Sequence, residues 1–188
     1  MSKKLDKTEL SIVHYLLQDG RASITDLAKQ SGASRPTVTS KLKRLRDSEL
    51  VLIKGGLNLS KLGFKIACVG LEVINDESRK DVEQYLRDCP RVLTLFRTPE
   101  KANIHVNVWG EEDKAINSTI ESFRDFPNTE IIYTHYLGTP IYGDIMLNVE
   151  SGNESESPCG KICPSCHRYN NNWCLGCPDT TSYKNTVV

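Results

Sequence analysis

Residues 6–45 carry three short helical patterns and two glycine stops, and few folds can be built from helices so short and so closely spaced. Asp6 can cap a helix whose Ile12, Val13, Leu16 and Leu17 follow a 3.6-residue spacing, and Asp19-Gly20 ends it. Ile24, Leu27 and Ala28 mark a second helix from about Thr25, with Gly32 as the turn after it. Ser34 then caps a third helix, where Pro36 sits in the first turn and Val38, Leu42 and Leu45 repeat at helical spacing. Three such helices with a tight turn before the last predict a helix-turn-helix. From Glu49 the period changes to the apolar run Leu50, Val51, Leu52, Ile53, followed by Lys54-Gly55-Gly56 and Leu57, which predicts a short β wing and closes a first domain at residues 1–58.

With Val38, Leu42 and Leu45 turned inward, the opposite face of the third helix presents Arg35, Thr37, Ser40, Lys41 and Arg44, with Thr39, Lys43 and Arg46 at its margins. A helix in the major groove needs side chains near its N-terminus that reach base edges and long cations further along that reach phosphates. Arg35, Thr37, Ser40 and Lys41 are therefore expected to read bases, and Lys43, Arg44, Arg46 and Lys54 of the wing to hold phosphates. A solvated basic face is the plainer reading of any one such helix. Charge segregation favours DNA: the chain has no net charge, yet residues 1–60 hold eleven basic against six acidic side chains, and residues 61–150 ten against fifteen. A basic lobe calls for a polyanion, and the acidic one for something else, such as self-association.

After a connector at residues 60–63 the pattern alternates. Residues 64–74, 92–97, 102–109 and 130–137 read as strands, and residues 77–88 and 111–125 as helices with Val82, Tyr85 and Leu86 on the first and Ala115, Ile116, Ile120 and Phe123 inward on the second. The order βαββαβ predicts a ferredoxin-like domain over residues 64–150, so the fold class is α+β. Its sheet carries apolar residues on both faces, which predicts cover by a second subunit, with Trp109, Tyr133, Tyr136 and Tyr142 as contact residues. His105 and His135 lie on strands and are read first as core or interface histidines. Cys68 and Cys89 are read as small buried hydrophobes.

Residues 151–158 are a polar linker of the flexible kind, and residues 159–188 a tail poor in apolar side chains but dense in cysteine. Cys163, Cys166, Cys174 and Cys177 form two Cys-x-x-Cys pairs, the four thiolates of a tetrahedral zinc site, with Cys159 and His167 as alternates. A tail without a core needs such a staple. The spacing also suits a [4Fe-4S] cluster, a thiolate-rich site also suits Cu(I), and a redox switch needs no metal. No run of eighteen apolar residues is present and Met1-Ser2-Lys3-Lys4 does not open a secretory core, so a cytoplasmic protein without membrane contact is expected.

These residues also carry a family likeness. Leu5-Asp6, Ile12-Val13, Leu16, Asp19-Gly20-Arg21, Leu27-Ala28, Gly32-Ala33-Ser34, Thr37-Val38 and Leu42-Lys43-Arg44-Leu45 resemble the N-terminal pattern of the Lrp/AsnC, or feast/famine, transcription regulators. The βαββαβ region resembles their regulation and dimerisation domain, called RAM. The resemblance implies a non-enzymatic regulator, a homodimer through facing sheets with further assembly into octamers, and pseudo-palindromic double-stranded promoter DNA as partner. The family's effector turn is rich in Gly and Asp, whereas here it is Thr98-Pro99-Glu100-Lys101-Ala102, so the effector is unassigned. Two rival readings are a tetrapyrrole enzyme similar to sirohaem decarboxylases, using His105 and His135, and a ligand-binding module that acts without DNA. A metal- or redox-responsive regulator is the expectation carried forward.

Overall fold

The computed structural model describes residues 4–147 and 155–184. The chain divides into two compact units, Met1–Lys54 and Gly55–Val188.

The first unit holds α1 (Lys7–Gln18), α2 (Ile24–Ser31) and α3 (Arg35–Asp47). A reciprocal capping box starts α1: the Asp6 carboxylate accepts the Glu9 N–H at 2.9 Å, and the Glu9 carboxylate accepts the Asp6 N–H at 3.0 Å. Ser23 caps α2, Gly32 turns the chain at φ 67°, and Ser34 caps α3 with Pro36 in its first turn. Ile12, Leu27, Ala28 and Val38 form the core, with Leu16, Ile24 and Leu42 packed against it. Each fully buried aliphatic side chain there contributes about 1.5–3 kcal/mol. Leu17, expected on the buried face, is 81% exposed.

The wing differs from expectation. Residues 50–56 contain no strand. Instead β1 (Leu57–Asn58) pairs antiparallel with β6 (Met146–Leu147) inside the second unit. The run Leu50 to Ile53 has no partner strand close by in sequence, so it cannot close a ladder of its own.

The rest of the second unit comprises β2 (Lys65–Val73), α4 (Asp76–Asp88), β3 (Val92–Arg97), β4 (Ile104–Gly110), α5 (Asp113–Phe123), β5 (Thr129–Gly138) and, in the tail, the single-turn α6 (His167–Asn170). The four long strands form one antiparallel sheet in the order β3-β4-β2-β5, the ferredoxin-like arrangement. Ala67, Val69, Leu71, Ile104, Val106 and Val108 face the helices and pack on Val82, Leu86, Ile116, Ile120 and Phe123. On the opposite face Tyr133 lies over Gly70, where a Cβ would stand 2.3 Å from its ring, and its hydroxyl meets His105 Nδ1 at 2.6 Å. Trp109 is not a contact residue held open for a partner: it is 2% exposed, stacks on Phe64 and donates its Nε1–H to the Pro90 carbonyl at 2.8 Å. Among the described residues no helix is long and apolar enough to cross a membrane.

The tail packs within the second unit. Arg168 donates to the Ser118 carbonyl at 3.1 Å, Arg91 to the Gly176 carbonyl at 3.0 Å, and the Tyr183 hydroxyl to Glu111. Arg91 is the hub, 4% exposed, forked onto Glu111 at 2.8 and 3.2 Å and lying over the Trp109 ring. Of the expected linker, residues 151–154 lie outside the described residues. Ser157 is buried, and its hydroxyl reaches the Lys161 carbonyl at 2.6 Å.

Candidate nucleic-acid interface and cysteine cavity

The α3 surface sorts the expected DNA contacts into two groups. Arg35, Thr39, Ser40, Lys43 and Arg46 are exposed and, among the described residues, make no side-chain hydrogen bond or ion pair within the chain. Lys54 is likewise exposed, at the end of the first unit. The other group is engaged. Lys41 pairs with Asp6 and lies 3.9 Å from Glu9, and Arg44 pairs with Glu9. Thr37 shares a 2.8 Å hydrogen bond with the capping Ser34.

This pairing follows from burial. Glu9 is fully buried between α1 and α3, and an ionised carboxylate taken out of water needs opposite charge and hydrogen bonds. Lys41 and Arg44 supply the charge, and the Asp6 N–H supplies the hydrogen bond. Lys41 is therefore half-buried and tied to α1, away from a base-reading role, whereas the Arg44 side chain remains 59% exposed and can still turn its outer edge to a phosphate. Sequence reasoning found the cations of α3 but not the acids that hold two of them. The capping box Asp6-x-x-Glu9 was the available signal.

In the second unit, Cys159, Cys163, Cys166, Cys174 and Cys177 line one cavity of about 60 Å³ together with Cys89. Its floor is the helix pair: Tyr85 of α4 with Cys89 capping that helix, and Ser118, Thr119 and Ser122 from α5. Those three α5 residues are buried although polar, and Thr119 and Ser122 return their hydroxyls to helix carbonyls at 2.9 and 2.6 Å. Arg91, Arg168 and Lys161 bring positive charge to the same walls.

Hydrogen bonds reach the sulfurs. Gly176 N–H donates to Cys174 Sγ at 3.4 Å, and the Ser157 hydroxyl stands 3.0 Å from Cys159 Sγ. Burial pushes the Cys89 thiol up to about 11 and raises Cys163, where the charges of Cys174 and Cys159 add to it. Burial is the largest influence on Cys166, but the N–H groups of Tyr169 and Arg168 together with the Arg168 guanidinium outweigh it and hold that thiol below its usual value.

The four expected zinc ligands thus share one cavity, but not one point: among the described residues no group of three or more His, Cys, Asp or Glu side chains is arranged to hold a metal ion. His167 stays outside, its ring edge-on to Trp173. Cys89 is a wall of this cavity as well as a small buried hydrophobe. Sequence alone did not show it, because its neighbours come from a distant tail.

A capped three-helix unit with an exposed basic third helix defines a helix-turn-helix protein, and residues 5–51 match the winged helix-turn-helix DNA-binding family model. The particular likeness is to the Lrp group. The chain is 22% identical to the HTH-type transcriptional regulator LrpC of Bacillus subtilis over 143 residues, 76% of this chain and 94% of that one. It is 19% identical to the HTH-type transcriptional regulator FL11 of Pyrococcus horikoshii, over 71% of this chain and 89% of that one. The solved structure of the Mycobacterium tuberculosis leucine response regulatory protein LrpA superposes with a TM-score of 0.65 at 20% identity, over 74% of this chain and 96% of that one. The chain thus carries a winged helix-turn-helix match at residues 5–51 and shares the fold of these proteins over about three quarters of its length. The relatives described here are named as regulators, and about a quarter of this chain lies outside each match.

Proposed function

We propose that this protein is a sequence-specific regulator that binds double-stranded promoter DNA through α3 as a homodimer, in the cytoplasm, with the cysteine cavity as its metal- or redox-responsive input. The observation that carries the DNA reading is the exposed set Arg35, Thr39, Ser40, Lys43 and Arg46, left unengaged on one helix while neighbouring cations are paired. Arg35 at the helix start reads base edges with Thr39 and Ser40. Lys43, Arg46, Lys54 and the outer edge of Arg44 hold phosphates. The dimer reading rests on the sheet face opposite the helices, where Phe96 is 54% and Leu137 60% exposed. In the relatives' naming the regulatory role is shared across the group, and it supports the same role here.

The test uses the duplex that the wild-type protein selects from a randomised pool. Arg35→Ala combined with Lys43→Ala removes one base contact and one phosphate contact, so affinity in a mobility shift falls about 10- to 100-fold and the log–log salt slope shrinks by about one. Unchanged affinity sinks the assignment of α3.

A further inference from the structure

The cavity in the second unit asks for a group larger than one ion. We propose that it takes a [4Fe-4S] cluster, ligated by four of the five tail cysteines Cys159, Cys163, Cys166, Cys174 and Cys177.

The void comes first. About 60 Å³ remains between the sulfur-bearing walls, several times the space that a single ion fills. Four thiolates closed on a single zinc at about 2.3 Å leave no such space between them. The spread of the donors agrees with the void. Among the described residues no three of these groups converge on one ion position, although all five tail cysteines face the same cavity. In a cubane each thiolate binds its own iron at a separate corner, so the sulfurs stand further apart than around one ion. The cluster also brings its own sulfides, which fill the middle. A Cu(I) site built from bridging thiolates needs its sulfurs drawn together, which this arrangement does not provide.

Charge and hydrogen bonding fit the same occupant. Four thiolates on a [4Fe-4S] core in its doubly positive state leave two negative charges, and Lys161, which makes no ion pair among the described residues, lines the cavity beside the paired Arg91 and Arg168. Arg91 is shared with Glu111 and Arg168 with Asp125, which fixes both guanidinium groups at the wall before any group binds. The Gly176 N–H that donates to Cys174 Sγ is of the kind that tunes a cluster's potential. Cys89 caps the C-terminal end of α4 and closes the floor, so it is assigned to the wall and not to the ligand set.

The proposal deepens the reading of the cavity as the regulator's input, but its test involves no DNA, so the two can fail separately. The full-length protein is purified without oxygen, and a second portion is incubated with ferrous iron and sulfide under reducing conditions. About four iron atoms and four acid-labile sulfides per chain are expected, with a brown colour that bleaches on reduction. Zinc or copper that iron and sulfide do not replace, iron without sulfide, or no metal after reconstitution overturns the proposal. Cys163→Ser with Cys166→Ser leaves three tail thiols and loses the cluster; a cluster kept at full occupancy by that variant overturns the ligand set. Cys89→Ser keeps it, and loss there overturns the assignment of Cys89 to the wall. The wild-type metal and sulfide content decides the matter by itself where a variant fails to fold.

Discussion

Glu9 is the side chain through which the first unit ties its capping to its exposed basic helix, α3. It caps the N-terminus of α1 and, fully buried, holds Arg44 and Lys41 across the helix interface. Glu9→Gln keeps an oxygen for the Asp6 N–H but removes the charge that faces both cations. Because Arg44 is largely solvent-exposed, the cost is well below that of a sealed pair: urea unfolding should show a loss of about 1–2 kcal/mol. A midpoint equal to the wild type would mean that these pairs hold nothing beyond what water supplies. The capping role of Glu9 was legible from Asp6 three residues earlier. Its reach to Arg44 was not, because that depends on how α1 and α3 cross, which no local spacing records.

At the scale of the element, helix starts were written more clearly than helix ends and strand partners. Asp6 and Ser34 each cap the expected helix, and Val38, Leu42 and Leu45 all turn inward, because capping and periodicity act within a few residues. The end of α3 breaks the usual rule. Glu49 takes φ 55°, a left-handed conformation that favours glycine, while the Leu50 N–H closes back on the Leu45 carbonyl at 3.0 Å. Glu49→Gly relieves about 1–2 kcal/mol of that conformation and returns about 0.5–1 kcal/mol through the freer unfolded chain. A net gain of about 0.5–1 kcal/mol in thermal or urea unfolding is expected, and a loss would show that the Glu49 side chain contributes more than its backbone costs. The wing strand was not legible, since Leu57 pairs with Leu147, far along the chain. Nor was the floor of the cysteine cavity: Ser118, Thr119 and Ser122 look like a solvent-facing stripe of α5 until the tail covers them.

For the whole molecule, the open question of architecture is what covers the sheet face that the helices leave free. Phe96 and Leu137 are exposed there, beside a groove lined by Ile66, Leu93, Thr94 and Asn107. A two-fold partner meets this face with the same face, so any substitution on it enters the interface twice. Leu137→Asp would then set two carboxylates into one apolar contact, whereas in a monomer the same change sits in water on a strand that keeps its backbone pairing. Light scattering should show the wild type at twice the chain mass or more and the variant at the mass of one chain, with unchanged far-ultraviolet circular dichroism. Affinity for a duplex with two half-sites should fall about 10- to 100-fold as the two α3 helices lose their tether, while affinity for a single half-site stays the same. A variant that keeps its mass places the subunit contact on another surface, and Phe96 and Leu137 then need a different partner.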